Sequence, residues 1–336
     1  MNDVMEYLRL IRPYGMLYLG FTPVFGAICN GGFVFLDLSM LFFIGILAHI
    51  FTFVQNDYFD VEIDSKSKYV SNRPLVTGSI SRRIALGIVV VSFLLSAVIS
   101  VVFLFSLLPF FVLMISFLLI TIYNKYSKRL FGMEYILAMG IFAYGLFGAL
   151  TVSDSVSSLA IIISFVAMMQ WLFSVGVFAN LKDVKYDAKT GVKTTPTILG
   201  VKTTDGGLYI PVLFKGYGFG MKIVHIVVAS LPFVFGITSF YVHSFPIPSI
   251  AFFLLSVTIL YLVAKIFSTP ISQRDTMLVY EGLQEGLAFL LIPVVLLSYL
   301  FEHIGIIPTL LLIAMMILWP LLSLRMLFGK QMIPLE

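Results

Sequence analysis

Residues 38–64 read LSMLFFIGILAHIFTFVQNDYFDVEID. From Leu38 to Asn56 there is no residue charged at neutral pH, and the run approaches the ~20 residues a helix needs to cross hydrocarbon. Asp57, Asp60, Glu62 and Asp64 then follow within eight residues. Carboxylates are costly beside hydrocarbon, so their concentration at the end of a spanning run marks a functional point rather than a solvated loop. A second run, 158–180, ends the same way in Asn180-Leu181-Lys182-Asp183-Val184-Lys185-Tyr186-Asp187.

The rest of the chain is what such a protein requires. Of 336 residues, 60% are hydrophobic and 11% charged, which excludes an ordinary soluble domain and implies a polytopic membrane protein, all-α in fold class. Apolar runs lie near 13–32, 38–56, 84–104, 107–124, 134–152, 158–180, 222–242, 248–268, 283–301 and 305–327. They give a helical bundle of ten spans, or nine if one of the last two is re-entrant. The repeated order of helix pair, acidic cluster and basic loop divides this single domain into halves of about 1–156 and 157–336. Pro23, Pro109, Pro232 and Pro293 fall inside runs, where bundle packing tolerates a kink. The start, Met1 to Glu6, lacks a basic leader pattern and reads as a retained interfacial segment. A single cysteine, Cys29, excludes an intrachain disulfide.

Charge sets sidedness. Lysines and arginines follow the second, fourth, sixth and eighth runs, Lys215 and Lys222 among those after the sixth, whereas the alternate loops near 33–37, 105–106, 153–157, 243–247 and 302–304 contain none. Both acidic clusters and the N-terminus therefore face the cytoplasm of a prokaryotic plasma membrane. The net charge of +4 is dispersed over several short loops, so no nucleic-acid surface is expected.

On a helix Asn56, Asp60 and Asp64 share one face, joined by Asp57, and Asn180, Asp183 and Asp187 share another. Oxygen ligands of this kind suit magnesium, which binds few carboxylates and completes its shell with water and phosphate oxygens. Two opposed carboxylate groups would repel unless a cation and a polyphosphate lay between them. Glu62 points away from that face. Arg73, in Arg73-Pro74-Leu75-Val76-Thr77-Gly78, offers a planar fork to phosphate, and Lys128, Lys189 and Lys193 are further phosphate contacts. Tyr123, near the end of the fourth run, is placed to stabilise developing positive charge. Glu281 and Glu285 are read at the start of the ninth run, near a cavity mouth or the interface, and His225 as a packing residue. A transporter is the competing class, since intramembrane acids also line ion paths.

In these residues the chain resembles the UbiA-type intramembrane prenyltransferases. The matching pieces are Asn56-Asp57-x-x-Asp60-x-x-x-Asp64, Arg73-Pro74-x-x-x-Gly78, the Tyr123–Arg129 element, and Asp183-x-x-x-Asp187-x-x-x-Gly191-x-x-Thr194. Gly132-Met133-Glu134 stands where the family usually has Gly-Asn. The resemblance implies a helical bundle around a central cavity open to lipid, and magnesium-dependent transfer of a polyprenyl group from a diphosphate donor to a lipid-soluble acceptor. Asn56, Asp60, Asp64, Asp183 and Asp187 would hold magnesium and diphosphate, Arg73 and Lys128 would neutralise the leaving group, and Asp57 would orient the others or help deprotonate the acceptor. An aromatic acceptor is preferred. The alternative is a prenylated glycerol phosphate, as in archaeal ether lipids, which would want a second basic pocket drawn from Arg9, Arg12, Arg82 or Arg83.

Overall fold

The structure is a computed structural model that describes residues 3–67, 69–104, 106–184, 192–204, 207–270 and 273–333. Its helices of nine or more residues are α1 (Asp3–Ile11), α2 (Met16–Cys29), α3 (Phe35–Asp64), α4 (Arg82–Phe103), α5 (Leu107–Tyr126), α6 (Met133–Leu150), α7 (Ser158–Val184), α8 (Val212–Val234), α9 (Ile247–Ser268), α10 (Arg274–Val295) and α11 (Ile306–Phe328). Among the described residues nine, α3 to α11, are long and apolar enough to span a bilayer. The first run departs from expectation. It folds as a 3-10 turn, Pro13–Gly15, and the fourteen-residue α2, about 21 Å long and short of the ~30 Å core. The last two runs, where a re-entrant segment was expected if the count were nine, include the long helices α10 and α11.

Two boundaries also differ. Helix α8 begins at Val212, ten residues before the expected run, and α10 begins at Arg274, nine before. The reason is compositional: Lys222, Glu281, Gln284 and Glu285 lower the local hydropathy of helices that carry them inside. Lys222 is therefore a fully buried helix residue rather than a loop cation. Among the described residues, one short antiparallel pair of strands, Lys202–Thr204 with Gly207–Tyr209, stands beside the helices.

The chain divides into two compact units, one of Met1–Tyr126, Met139–Ala160 and Met316–Glu336, the other of Ser127–Ala138 and Ile161–Met315. In the first, α2 is buried along nearly its whole length. Helix α4 turns Ala85, Ser92, Ser96 and Ser100 inward while Val91, Leu94 and Val98 are over half exposed. Small polar residues inside and large apolar ones outside are the pattern of a helix packed against neighbours in lipid. Close crossings need missing side chains: a Cβ at Gly45 would lie 2.5 Å from Gly20 Cα, and one at Gly148 would collide with the backbone carbonyl of Pro23. In the second unit α8, α9 and α10 pack together. Pro23, Pro232, Pro293 and Pro320 lie within helices, whereas Pro109 sits in the first turn of α5, where no backbone bond is lost.

Overpacking at these crossings cannot be relieved by a rotamer change because the neighbours are backbone atoms. Gly45→Leu and Gly148→Leu are expected to cost at least about 2 kcal/mol each, read as a lowered Tm of the detergent-solubilised protein. Gly87→Leu, with nothing within 4 Å of its Cβ position, is expected not to lower it.

Candidate active site

Helix α3 ends with Asp57, Asp60 and Asp64 on one face, all three buried, and has no basic residue in its last turn. A helix C-terminus already carries partial negative charge, so this end needs cations from elsewhere in the chain. They come as arginines. Arg12 Nη2 donates to Asp57 Oδ1 at 2.7 Å, and Arg73 Nη1 donates to the same oxygen at 3.1 Å and to Asp64 Oδ2 at 2.6 Å. Asn56 Nδ2 reaches Asp60 Oδ2 at 3.4 Å. The sequence-derived face of Asn56, Asp57, Asp60, Asp64 and Arg73 is thus assembled within the first unit.

Each arginine is set by its local chain. Arg73 precedes Pro74, the first residue of a one-turn helix, Pro74–Thr77, and Gly78 closes it at φ 78°. That is proline at the start and glycine just past the end, each where its backbone preference fits. Arg12 lies at φ 49°, ψ 64°, a left-handed conformation costing about 1–2 kcal/mol for a side-chain-bearing residue. The turn is held by its carbonyls: His49 Nε2 lies 3.0 Å from both Ile11 O and Arg12 O, and Trp319 Nε1 donates to Pro13 O at 2.6 Å. The Arg12 guanidinium also lies 5.1 Å from the Phe53 ring centroid. Sequence reading grouped Arg12 with other basic residues; the only signal for it was an arginine before Pro13 at the first apolar run. Arg9 instead pairs with Glu6, and Arg82 reaches Tyr58 O at 3.2 Å from an exposed position.

Just inward, Asn124 Nδ2 donates to Thr52 O at 3.0 Å and to Gln55 Oε1 at 2.9 Å, which fixes the end of α5 against α3. Tyr123 is half-buried on that same end of α5.

In the second unit α7 passes through a π-helical stretch, Ser174–Ala179, before Asn180 and Asp183, both half-buried. Wider turns of this kind re-aim the residues that follow and recur at functional sites. Asp187 and Lys189 lie outside the described residues. Lys128 is half-buried in the turn after α5, and Lys193 is exposed on a cleft of about 510 Å³ with Lys202 and Thr197. Glu134 replaces the amide that resemblance led one to expect, and it keeps a polar contact: buried on α6, it accepts the Thr195 hydroxyl. Thr194 caps the short helix Thr195–Ile198.

Among the described residues no three His, Cys, Asp or Glu side chains converge as a ready-made metal nest. Magnesium does not demand one, since one or two carboxylates plus phosphate oxygens and water complete its shell. Asp60, which accepts from Asn56 Nδ2 at 3.4 Å, and half-buried Asp183 suit such a role.

The sequence profile of the UbiA prenyltransferase family matches residues 19–275. The chain belongs to that family. It is 27% identical over 204 residues to a digeranylgeranylglyceryl phosphate synthase of Thermococcus sibiricus, a match covering 59% of this chain and 70% of the relative. To a 4-hydroxybenzoate octaprenyltransferase of Saccharophagus degradans it is 29% identical over 200 residues, covering 58% of this chain and 65% of the relative. The solved structure of an Archaeoglobus fulgidus UbiA homolog bound to GPP and Mg2+ superposes at TM-score 0.58 with 16% identity, over 85% of this chain and 99% of that one. The fold is therefore that of the UbiA prenyltransferases, and the chain is a polytopic membrane enzyme.

Within this UbiA prenyltransferase, Asp57 is a buried anion shared by two arginines. Asp57→Ala removes the carboxylate that Arg12 and Arg73 share, leaving Arg73 its pair with Asp64, and is expected to destabilise the protein by about 3 kcal/mol, checked by thermal unfolding in detergent. Asp57→Asn, which keeps an acceptor oxygen, is expected to cost less.

Proposed function

We propose that the protein transfers a polyprenyl group from an allylic polyprenyl diphosphate to the hydroxyl of a prenylated glycerol phosphate, with magnesium as cofactor. The carrying observation is the convergence of Arg12 and Arg73 on Asp57 beside the Asp60 and Asp64 face. Arg12, beside the Arg73 that serves the donor diphosphate, supplies the additional basic group that an acceptor bearing its own phosphate needs. The Thermococcus relative, a digeranylgeranylglyceryl phosphate synthase, supports the same acceptor, so the aromatic preference drawn from sequence gives way. The aromatic reading keeps one supporting fact, the likeness to a 4-hydroxybenzoate octaprenyltransferase, and is the second outcome of the assay.

In this reading the chain works as one catalytic domain, with both acidic helix ends on the cytoplasmic side of the membrane. Asn56, Asp60 and Asp64 with Asn180, Asp183 and Asp187 would hold magnesium, which when bound neutralises charge on the diphosphate; an Archaeoglobus homolog carries it together with GPP. Arg73, Lys128, Lys189 and Lys193 orient the diphosphate oxygens and offset the charge that grows as the allylic carbon–oxygen bond breaks. Tyr123 faces the resulting positive carbon. The apolar helices accommodate the prenyl tail and exclude the water that would otherwise capture that carbon. Asp57 holds Arg12 and Arg73 in place.

Purified protein incubated with magnesium and geranylgeranyl diphosphate is expected to prenylate a geranylgeranylglyceryl phosphate acceptor, identified by mass spectrometry. Prenylation of 4-hydroxybenzoate alone would overturn the acceptor assignment. Asp60→Ala and Asp183→Ala are expected to abolish product while the protein still folds in membrane, and chelation of magnesium to do the same. Arg12→Ala is expected to raise the KM for the phosphate-bearing acceptor by about tenfold or more, the worth of a hydrogen bond to a charged group.

A further inference from the structure

Ten residues into α8 and eleven into α10, far from either helix end, the second unit contains a polar chain that the diphosphate chemistry does not use. Lys222 Nζ, fully buried, donates to Gln170 Oε1 at 2.6 Å, and Gln284 Nε2 donates to the same oxygen at 3.3 Å. Gln170 Nε2 donates to Ser174 Oγ at 3.0 Å, and Ser174 Oγ donates to Glu285 Oε1 at 3.1 Å. Every donor points the same way, so the Gln170 amide has one orientation, and the chain is polarised from an ammonium at one end to a carboxylate at the other. Such chains strengthen along their length at low dielectric. The Lys222 ammonium also lies 4.0 Å from the Phe173 ring centroid.

Glu281 stands one turn before Glu285. On α10 the two share a face with buried Met277, Gln284, Ala288 and Ile292, opposite Val279 and Leu283, which are 41% and 50% exposed. Both carboxylates therefore sit on the packed side of the helix, yet unlike their buried neighbours they keep accessible surface. Three atoms in the cluster can take further partners: Gln284 Oε1 and both ring nitrogens of His225, one turn along α8 from Lys222, are buried without a hydrogen bond. The charged groups acting on the carboxylates are Lys222 on α8, Lys182 on α7, and each other, while His225 on α8 interacts with Lys222. Ionisable residues this deep in a membrane helix commonly carry protons.

The geometry points to Glu285 as the group that takes the proton released by prenyl transfer, with Glu281 as its exit and Lys222 as the residue that positions and charges it. The allylic carbon–oxygen bond breaks with its electron pair left on the diphosphate, the acceptor hydroxyl oxygen bonds to that carbon, and its proton passes to the Glu285 carboxylate. Glu281, about 6 Å along the helix face, receives it next, toward the helix start at Arg274. An aromatic acceptor would release one ring proton in the same way. The assignment thus rests on prenyl transfer and not on which acceptor is used.

The test is single-turnover prenylation by the full-length protein with magnesium and geranylgeranyl diphosphate across a pH series, for wild type, E285Q, E281Q and K222M, with prenylated acceptor and prenyl alcohol measured separately. Wild-type rate is expected to fall toward acid as Glu285 protonates. E285Q, whose amide oxygen still accepts from Ser174, is expected to lose about 10²-fold in prenylated acceptor, to lose that acid limb, to bind donor as wild type does, and to divert donor to prenyl alcohol. E281Q is expected to slow the same step less. K222M is expected to move the acid limb to higher pH, because removing a positive charge favours the neutral carboxyl. E285Q with an unchanged rate, or with a lower rate at every pH and the acid limb intact, overturns the assignment; an unmoved limb in K222M overturns the part given to Lys222. If wild type prenylates only 4-hydroxybenzoate, the acceptor reading fails, and the same variants compared on that acceptor still decide the role of Glu285.

Discussion

The site is built on an electrostatic conflict. Three carboxylates occupy the last two turns of α3, where the helix backbone is itself partly negative and the adjoining segment is apolar. The chain answers with two arginines brought from opposite directions, one 45 residues before Asp57 and one 16 residues after it. Much local structure follows from placing them. The left-handed turn at Arg12, the ring of His49 beneath it, the Trp319 bond to Pro13 and the one-turn helix after Arg73 all serve to aim a guanidinium. A cation-rich pocket next to Asp60 is the natural consequence, and polyphosphate with a divalent metal is the ligand class that such a pocket fits.

How much of this could be read beforehand depends on range. Apolar runs and the i, i+4 spacing of Asn56, Asp60 and Asp64 are local patterns, so nine of the ten expected runs contain the long apolar helices found among the described residues, and the acidic face of α3 was legible too. The Arg73-Pro74 to Gly78 turn was legible for the same reason. Helix α2 was misjudged because an apolar run shows composition, not the short pieces into which Pro13 and Gly15 divide it. The starts of α8 and α10 were placed late because Lys222, Glu281, Gln284 and Glu285 dilute hydropathy where the helix is most buried. Window averages cannot tell a polar residue pointing inward from one beyond the membrane. Arg12 was hidden for a third reason: its partner, Asp57, is distant in sequence, and its backbone conformation is one that few residues adopt.

The polar features differ in their position along the helices. Asp57–Asp64 and Asn180–Asp183 close helix ends, whereas Lys222, Gln170, Ser174 and Glu285 lie in the middle of their helices. Membrane helices bear polar residues at such depth only when partners satisfy them, and the hydrogen-bonded chain from Lys222 to Glu285 does so almost completely. Burial of this kind is a weak source of stability, since the desolvation cost is large. Its retention in the second unit is better explained by chemistry than by packing, just as the arginine pair explains the acids of the first.

The most direct measurement is a double-mutant cycle on donor binding. Affinity for geranylgeranyl diphosphate in magnesium would be compared for wild type, Asp60→Ala, Asp183→Ala and the double variant. If both acidic helix ends hold one magnesium diphosphate, the losses are coupled, with an interaction energy of at least about 1 kcal/mol. Losses that simply add, or wild-type affinity in either single variant, would contradict a shared ligand.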